Sequence, residues 1–219
     1  LDGFELRGPG LDQSSGAAIH HVDTGETDTA DFRIGRLYVR EWTDAIYRVD
    51  EGNGPYQCRH DYIRVDDCDA GMANALIDWQ STYGPANVFG TIVAYPVPTY
   101  SGRDTRTLVQ KGGELSIGYV TLGGAAGQVV DHVDGQLTVG RTHWEPTDQQ
   151  SVPHSLVRMA GENAAVITDI GPDTGTVDYV YELAAGAGRK RLGFANVRET
   201  QLRENVLEVR GQPADTPSW

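Results

Sequence analysis

Two cysteines and six histidines are the residues of this chain whose types could carry redox or metal chemistry. Cys58 and Cys68 stand ten positions apart. That separation closes a small disulfide loop if the backbone brings the two Cα atoms within bonding reach. A disulfide is the first reading, favoured by an extracellular setting, with free buried thiols second and a metal third. In a symmetric assembly one cysteine could instead bridge to a neighbouring chain. Zinc wants four ligands, whereas Cys58, His60 and Cys68 supply three at a spacing that matches no common finger. The acidic run Asp66, Asp67 and Asp69 is a candidate for weak cation binding. It lacks the glycine and the glutamate that calcium loops place at their sixth and twelfth positions. Asp23, Glu26, Asp28 and Asp31 form a further acidic cluster, and the plain reading of both is solvated surface.

Catalytic signatures are missing from the sequence. Glu114-Leu-Ser116-Ile-Gly118 has a glutamate where a nucleophile elbow needs its first glycine. No phosphate-binding loop and no His-Glu-x-x-His zinc motif occurs. A cupin-like metal site would need histidines on one sheet face, but His20 and His21 are adjacent and point to opposite faces of a strand. Glu114, Glu145, Glu162 and Glu182 qualify as a glycosidase pair only by being present. The expectation is a protein that is not an enzyme, with no cofactor. Aromatic platforms for carbohydrate are available: Trp42 and Trp79 sit in apolar patterns and read as core, while Trp144 in His143-Trp-Glu-Pro146 reads as exposed.

The elements that position these residues are mostly strands. Phe32, Ile34, Leu37 and Val39 alternate with polar residues around an irregularity at Gly35. Further strands are expected over Ala17–Val22, Ala45–Val49, Tyr56–Val65, Asn87–Val97, Thr105–Gln110, Glu114–Leu122, Gly127–Val133, Leu137–His143, Ser155–Met159, Ala164–Ile170, Thr176–Leu183, Leu192–Val197 and Val206–Arg210. Lys111-Gly-Gly113 and Asp134-Gly135 read as hairpin turns. One helix is expected from an Asp69 cap through Met72, Leu76, Trp79 and Tyr83 to Gly84-Pro85. No repeat of fixed period is evident, which disfavours solenoids. The pattern predicts an all-β jelly-roll or β-sandwich barrel spanning 1–219, with one short helix and extended arms at 1–16 and 212–219. The stretch 99–153 is a candidate for an inserted small β unit.

Charge sets the environment. The chain carries 31 acidic against 18 basic residues, a net charge of −13, and only Lys111 and Lys190 among the cations are lysines. Self-repulsion of that size weakens a compact fold unless salt screens it. The acidic, lysine-poor balance points to a haloarchaeal protein working in concentrated salt, against the plainer reading of an acidic protein from a high-GC genome. It also argues against direct nucleic-acid binding, which needs cations at the phosphates. Arg189-Lys190-Arg191 reads as a solvated turn. No apolar run is long enough to span a bilayer as a helix. The chain starts at Leu1, which leaves room for a processed leader.

The acid-rich strands from Phe32 onward, the Asp69–Tyr83 helix between strands and the glycine-punctuated hairpins through Val209 together resemble the major capsid proteins of haloarchaeal icosahedral viruses with an internal membrane. The resemblance implies an upright single jelly roll in a virion shell. It implies contacts with copies of itself or a sister capsid protein, proximity to the internal membrane, bound cations and no catalytic residues. The hairpins of 99–153 would be the small extra domain that some members carry. The competing reading is a secreted or cell-surface β-sandwich binding carbohydrate or another ligand, followed by a cupin-like metalloenzyme. The halophilic reading has its own check. The thermal unfolding midpoint should rise as KCl goes from about 0.1 M to about 1 M, where the Debye length falls from about 10 Å to about 3 Å. A midpoint indifferent to salt would favour the ordinary acidic protein.

Overall fold

A computed structural model describes residues 3–10, 16–22, 30–42, 44–69, 75–97, 108–123, 130–145, 155–159, 163–170, 179–183, 190–197 and 207–209. Of these, 69, 96–97, 122–123, 144–145, 155–156, 163–170, 179–180, 190–197 and 207–209 are described by their backbone alone. The strands are β1 (Phe4–Arg7), β2 (Ile19–His21), β3 (Arg33–Arg40), β4 (Tyr47–Val49), β5 (Arg59–Asp69), β6 (Ile77–Trp79), β7 (Asn87–Val97) and β8 (Leu108–Gln110). They continue as β9 (Glu114–Gly123), β10 (Val130–His132), β11 (Gln136–Glu145), β12 (Ser155–Met159), β13 (Asn163–Ile170), β14 (Tyr179–Leu183), β15 (Lys190–Val197) and β16 (Leu207–Val209).

The odd-numbered strands form one eight-stranded sheet, sheet A, and the even-numbered strands form a second, sheet B, each in chain order. Every strand pairing is parallel. Parallel neighbours need a long crossover. Here the crossover between two strands of sheet A is a strand of sheet B, so the chain coils as a parallel β-solenoid and advances about 4.8 Å per turn.

Alternation within each strand sends one set of side chains inward, and parallel register stacks them turn on turn. Ile34, His60, Phe89, Ile117 and Val139 form one such column, and Leu37, Ile63, Ile92, Val120 and Thr142 another. From sheet B come Tyr47, Ile77, Leu108, Val130, Val157 and Tyr181. All of these are buried.

Between the two inner columns of sheet A the alternation breaks at Gly35, the irregularity expected from sequence. The next turns place Asp61, Gly90, Gly118 and Gly140 at that position. A Cβ on Gly118 would lie 2.5 Å from the Gly90 carbonyl oxygen, and one on Gly140 equally close to the Gly118 oxygen. At Gly90, Gly118 and Gly140 the bend thus brings the neighbouring backbone too close for a side chain, while the equivalent positions Asp61, Thr168 and Ala195 carry one. The corners use left-handed backbone: Asp31, Gln57 and Ala86 have φ of 55°, 57° and 58° just before sheet A strands, and Glu41 and Asp67 have 60° and 51° beyond β3 and within β5.

The solenoid overturns the jelly-roll and β-sandwich barrel expectation and the dismissal of solenoids. The strand spans were largely legible, but period-2 alternation is identical for a half-buried strand in either architecture. Lys111-Gly-Gly113 and Asp134-Gly135 are corners that carry the chain from sheet B into sheet A, so β8 and β9, and likewise β10 and β11, lie in different sheets. The expected Asp69–Tyr83 helix is also corrected. Asp69 ends β5 and Ile77–Trp79 is β6. The four-three-four spacing was matched by side chains that instead fill a strand and its flanks, with Ala75, Leu76, Ile77, Asp78 and Trp79 all buried. Residues 70–74 lie outside the described residues. Phe4–Arg7, inside the segment read as an arm, pairs with β3. The described strands of 99–153 belong to the same two sheets; the arm 212–219 lies outside the described residues. Without a jelly roll, the resemblance to capsid proteins loses its structural basis.

Gly118→Val should lower the urea unfolding midpoint, by about 2–4 kcal/mol of stability, because backbone rather than a movable side chain opposes the new Cβ. Ala86→Gly should raise it by about 1 kcal/mol, by relieving left-handed strain.

Candidate functional site

The side chains of sheet B that turn away from the core columns form one row in register, His20, Arg48, Asp78, Val109, Asp131, Arg158 and Glu182, of which Asp78, Val109, Asp131 and Glu182 are buried. Each lies at the centre of a three-residue strand segment whose flanking side chains turn inward. Charges of opposite sign meet across the turns. Arg48 Nε donates to Asp78 Oδ2 at 3.2 Å, and its Nη2 donates to Asp44 Oδ1 at 2.8 Å. Arg158 Nη1 donates to Asp131 Oδ1 at 3.0 Å. His20 Nε2 lies 2.7 Å from Asp50 Oδ1. Burial works against the Arg48 charge, but Asp44 and Asp78 together outweigh it and raise the guanidinium pKa.

A groove of about 650 Å³ opens on this face, lined by Arg48, Asp50, Glu51, Asp78, Gln80, Val109, Lys111, Asp131 and Val133. Val109 stands at the centre of the row, with Arg48 and Asp78 on one side and Asp131 on the other. From β4 to β10 is three strand spacings, about 14 Å. The Gln80 amide bonds Asp78. Lys111 Nζ is 3.8 Å from Glu51 Oε1, a loose contact beside the shorter arginine pairs. The signal for these residues was present in sequence as charged centres between residues that are buried on both sides: Tyr47-Arg48-Val49, Ile77-Asp78-Trp79 and Val130-Asp131-His132.

The residues singled out from sequence lie elsewhere. Cys58 precedes β5 and Cys68 lies near its far end, and ten residues of extended chain run about 33 Å. Both are free, buried thiols, so the disulfide is replaced by the second reading. Cys58 Sγ donates to the Tyr56 carbonyl at 3.3 Å and Cys68 Sγ to the Asp66 carbonyl at 3.5 Å. Burial pushes Cys58 up to about 11 and Cys68 up to about 12, which makes both poor nucleophiles. Asp66 accepts from Arg64 at 2.7 Å and Asp67 from Arg40 at 2.5 Å; the Asp69 side chain lies outside the described residues. Asp31 is exposed at a corner, and 23–29 lie outside the described residues. Among the described residues no three His, Cys, Asp or Glu side chains gather as a metal site. Trp79 is buried core and Trp42 packs against the core. The Trp144 backbone pairs with Leu122 in β9, and its side chain lies outside the described residues.

His60 is the chemically unusual interior residue. It stacks on Phe89 at 4.7 Å and meets Tyr47 edge-on at 4.8 Å. Neither ring nitrogen has a hydrogen-bond partner. Burial lowers its pKa to about 4, with Asp61 pulling weakly the other way. The ordinary value is about 6.5, so the unfolded chain binds the proton first as pH falls. Stability is then lost from about pH 6.5 down to about pH 4.

Comparison with protein-family models, with curated proteins and with solved structures gives no match.

In chemical denaturation, the protein should lose about 3 kcal/mol more stability than His60→Phe between pH 7 and pH 4. Parallel pH curves for the two proteins would show that His60 does not titrate in this way.

Proposed function

We propose that this solenoid is a binding module of a secreted or cell-surface protein, and that its sheet B groove holds an extended, hydroxyl-rich glycan. The observation that carries the reading is the groove itself. Its volume is in the range of small-ligand sites, and its lining is mainly polar, with Val109 and Val133 the apolar members. Carboxylates, a guanidinium and an amide offer the paired acceptors and donors that vicinal hydroxyls require. The inter-turn ion pairs hold these side chains in place before the ligand arrives, which lowers the ordering cost of binding. The row runs across the strands, so a linear ligand would lie along the solenoid axis.

Binding suits the groove better than hydrolysis. A glycosidase pair needs one carboxyl free to deliver a proton, whereas the two acids flanking Val109 in the row, Asp78 and Asp131, each already accept from an arginine. That leaves Glu51, loosely held by Lys111, without a second free acid opposite it in that row. The test is calorimetric titration of the protein with a panel of neutral oligosaccharides in molar KCl. Gln80→Ala and Lys111→Ala should each weaken the best ligand about tenfold, the cost of one charge-assisted or well-placed hydrogen bond. Failure of every oligosaccharide to bind, or unchanged affinity in both variants, would remove the groove as the site.

A further inference from the structure

A second face of the solenoid has a different chemistry. On the outer side of sheet A, one row runs Arg36, Tyr62, Thr91, Tyr119 and Arg141 across β3, β5, β7, β9 and β11. Tyr38, one turn from Arg64 in the next row, sets its ring 6.1 Å from that of Tyr62 at 53°. Tyr38 is 38% exposed. The Arg141 guanidinium lies over the Tyr119 ring, 5.8 Å from its centre. Beyond Arg141 the row continues to Asp169, of which only the backbone is described.

Arg36 is out of keeping with the rest of the surface. Arg7, Arg33, Arg40, Arg48, Arg59, Arg64 and Arg158 each hold a carboxylate. Arg36 is exposed and holds none among the described residues, in a chain where acids outnumber bases 31 to 18. Arg36 stands beside two tyrosines whose rings meet at a tilt, in a row with no carboxylate from β3 to β11, and the nearest exposed acid in register is Glu5, beside Tyr38. That row is arranged for an anion that also presents a flat apolar face. The spacing of Tyr62 and Tyr119, two strands apart, is about 9.6 Å, so the two rings can meet alternate sugar units of an extended linear polymer.

We infer that this row binds an anionic polysaccharide, with Arg36 forked onto its carboxylate or sulfate groups and Tyr62, with Tyr38, against its sugar rings. Arginine suits this role because its planar donors match an oxyanion in two bonds and its face stacks on aromatic rings. The protein's net negative charge would repel such a polymer at low salt. At about 1 M salt the screening length is about 3 Å, so the long-range repulsion disappears while the contact at Arg36 and the stacking survive. The consequence is an inverted salt dependence. Polyanion binding by an ordinary basic patch weakens as salt rises; here it strengthens or holds.

The surface is distinct from the sheet B groove, and the experiment separates the two. The full chain is titrated with alginate as the carboxylated polymer, dextran sulfate as the sulfated polymer, dextran as the neutral control and a single-stranded oligothymidylate, at about 0.15 M and about 1 M KCl. Alginate or dextran sulfate should bind, more tightly than dextran and the oligonucleotide, and no more weakly at the higher salt. Which of the two polymers binds identifies the anionic group. Arg36→Gln and Tyr62→Ala should each reduce that affinity about tenfold, keep the unfolding midpoint of the parent, and leave neutral-oligosaccharide binding in the groove where it is. The inference falls if dextran or the oligonucleotide binds as tightly, if affinity collapses with salt, or if both folded variants bind like the parent. Loss of groove binding alone would fall on the proposed function and leave this surface standing.

Discussion

Stacking one turn on the next makes the corners the costly places in this fold. Strand carbonyls and amides find partners in the neighbouring turn, but at a corner the chain changes sheet and its buried polar groups need another source. Side chains supply it. Asn87 Nδ2 donates to the carbonyls of Pro55 and Gly84, both at 2.8 Å, while its Oδ1 accepts from the Cys58 amide at 3.2 Å. Gln110 Nε2 donates to the carbonyls of Gly112 and Gln136 at 3.0 and 3.1 Å. His132 Nε2 lies 3.1 Å from the Gly135 carbonyl. Ser81 Oγ donates to Gly52 at 2.6 Å and accepts from the Tyr83 amide at 3.0 Å. Each bond fixes where a strand begins, and so fixes the register that stacks the inner columns and aligns the outer rows. Both candidate binding faces depend on that alignment, because each is a row of residues from separate turns.

The outer surface follows the same rule of neighbour on neighbour. Arg33 and Arg59 converge on Asp61, bonding it at 2.5 and 2.6 Å, and their hydrogen bonds hold that carboxyl below its usual range. Arg7 does the same for Glu41. Pairs this exposed contribute little individually. Their effect is to commit most of the described cations, which is why Arg36 and the loosely held Lys111 stand out among them.

Much of this was legible in the residues. The strand over Asn87–Val97 and the one over Ser155–Met159 have the spans expected from alternation, and the bend at Gly35 was visible. Pairing was not. A glycine pair such as Gly112-Gly113 marks a change of direction without saying whether the chain folds back on itself or proceeds to another sheet. The repeat was present but disguised. Ile34-Gly35-Arg36-Leu37, Phe89-Gly90-Thr91-Ile92, Ile117-Gly118-Tyr119-Val120 and Val139-Gly140-Arg141-Thr142 share one pattern, while His60-Asp61-Tyr62-Ile63 fills the same place without the glycine. Successive bends fall 26, 29, 28 and 22 residues apart, so a search for one fixed period passes over them. The candidate sites were less legible than the strands because a row drawn from four or five turns has no local spacing to recognise. The cysteines and clustered aspartates drew attention by type, and the fold sets Cys58 and Cys68 at opposite ends of the β5 segment and ties Asp66 and Asp67 to separate arginines.

That uneven spacing has a consequence for how such a chain can change. The bends keep their register whether 22 or 29 residues separate them, so the difference is absorbed in the connecting segments and not in the stacked strands. Connections of this kind can lengthen, shorten or be exchanged one at a time without disturbing the rows on either face. A lineage carrying this fold can therefore remodel the surroundings of its outer rows turn by turn, while the axis along which those rows run is inherited unaltered.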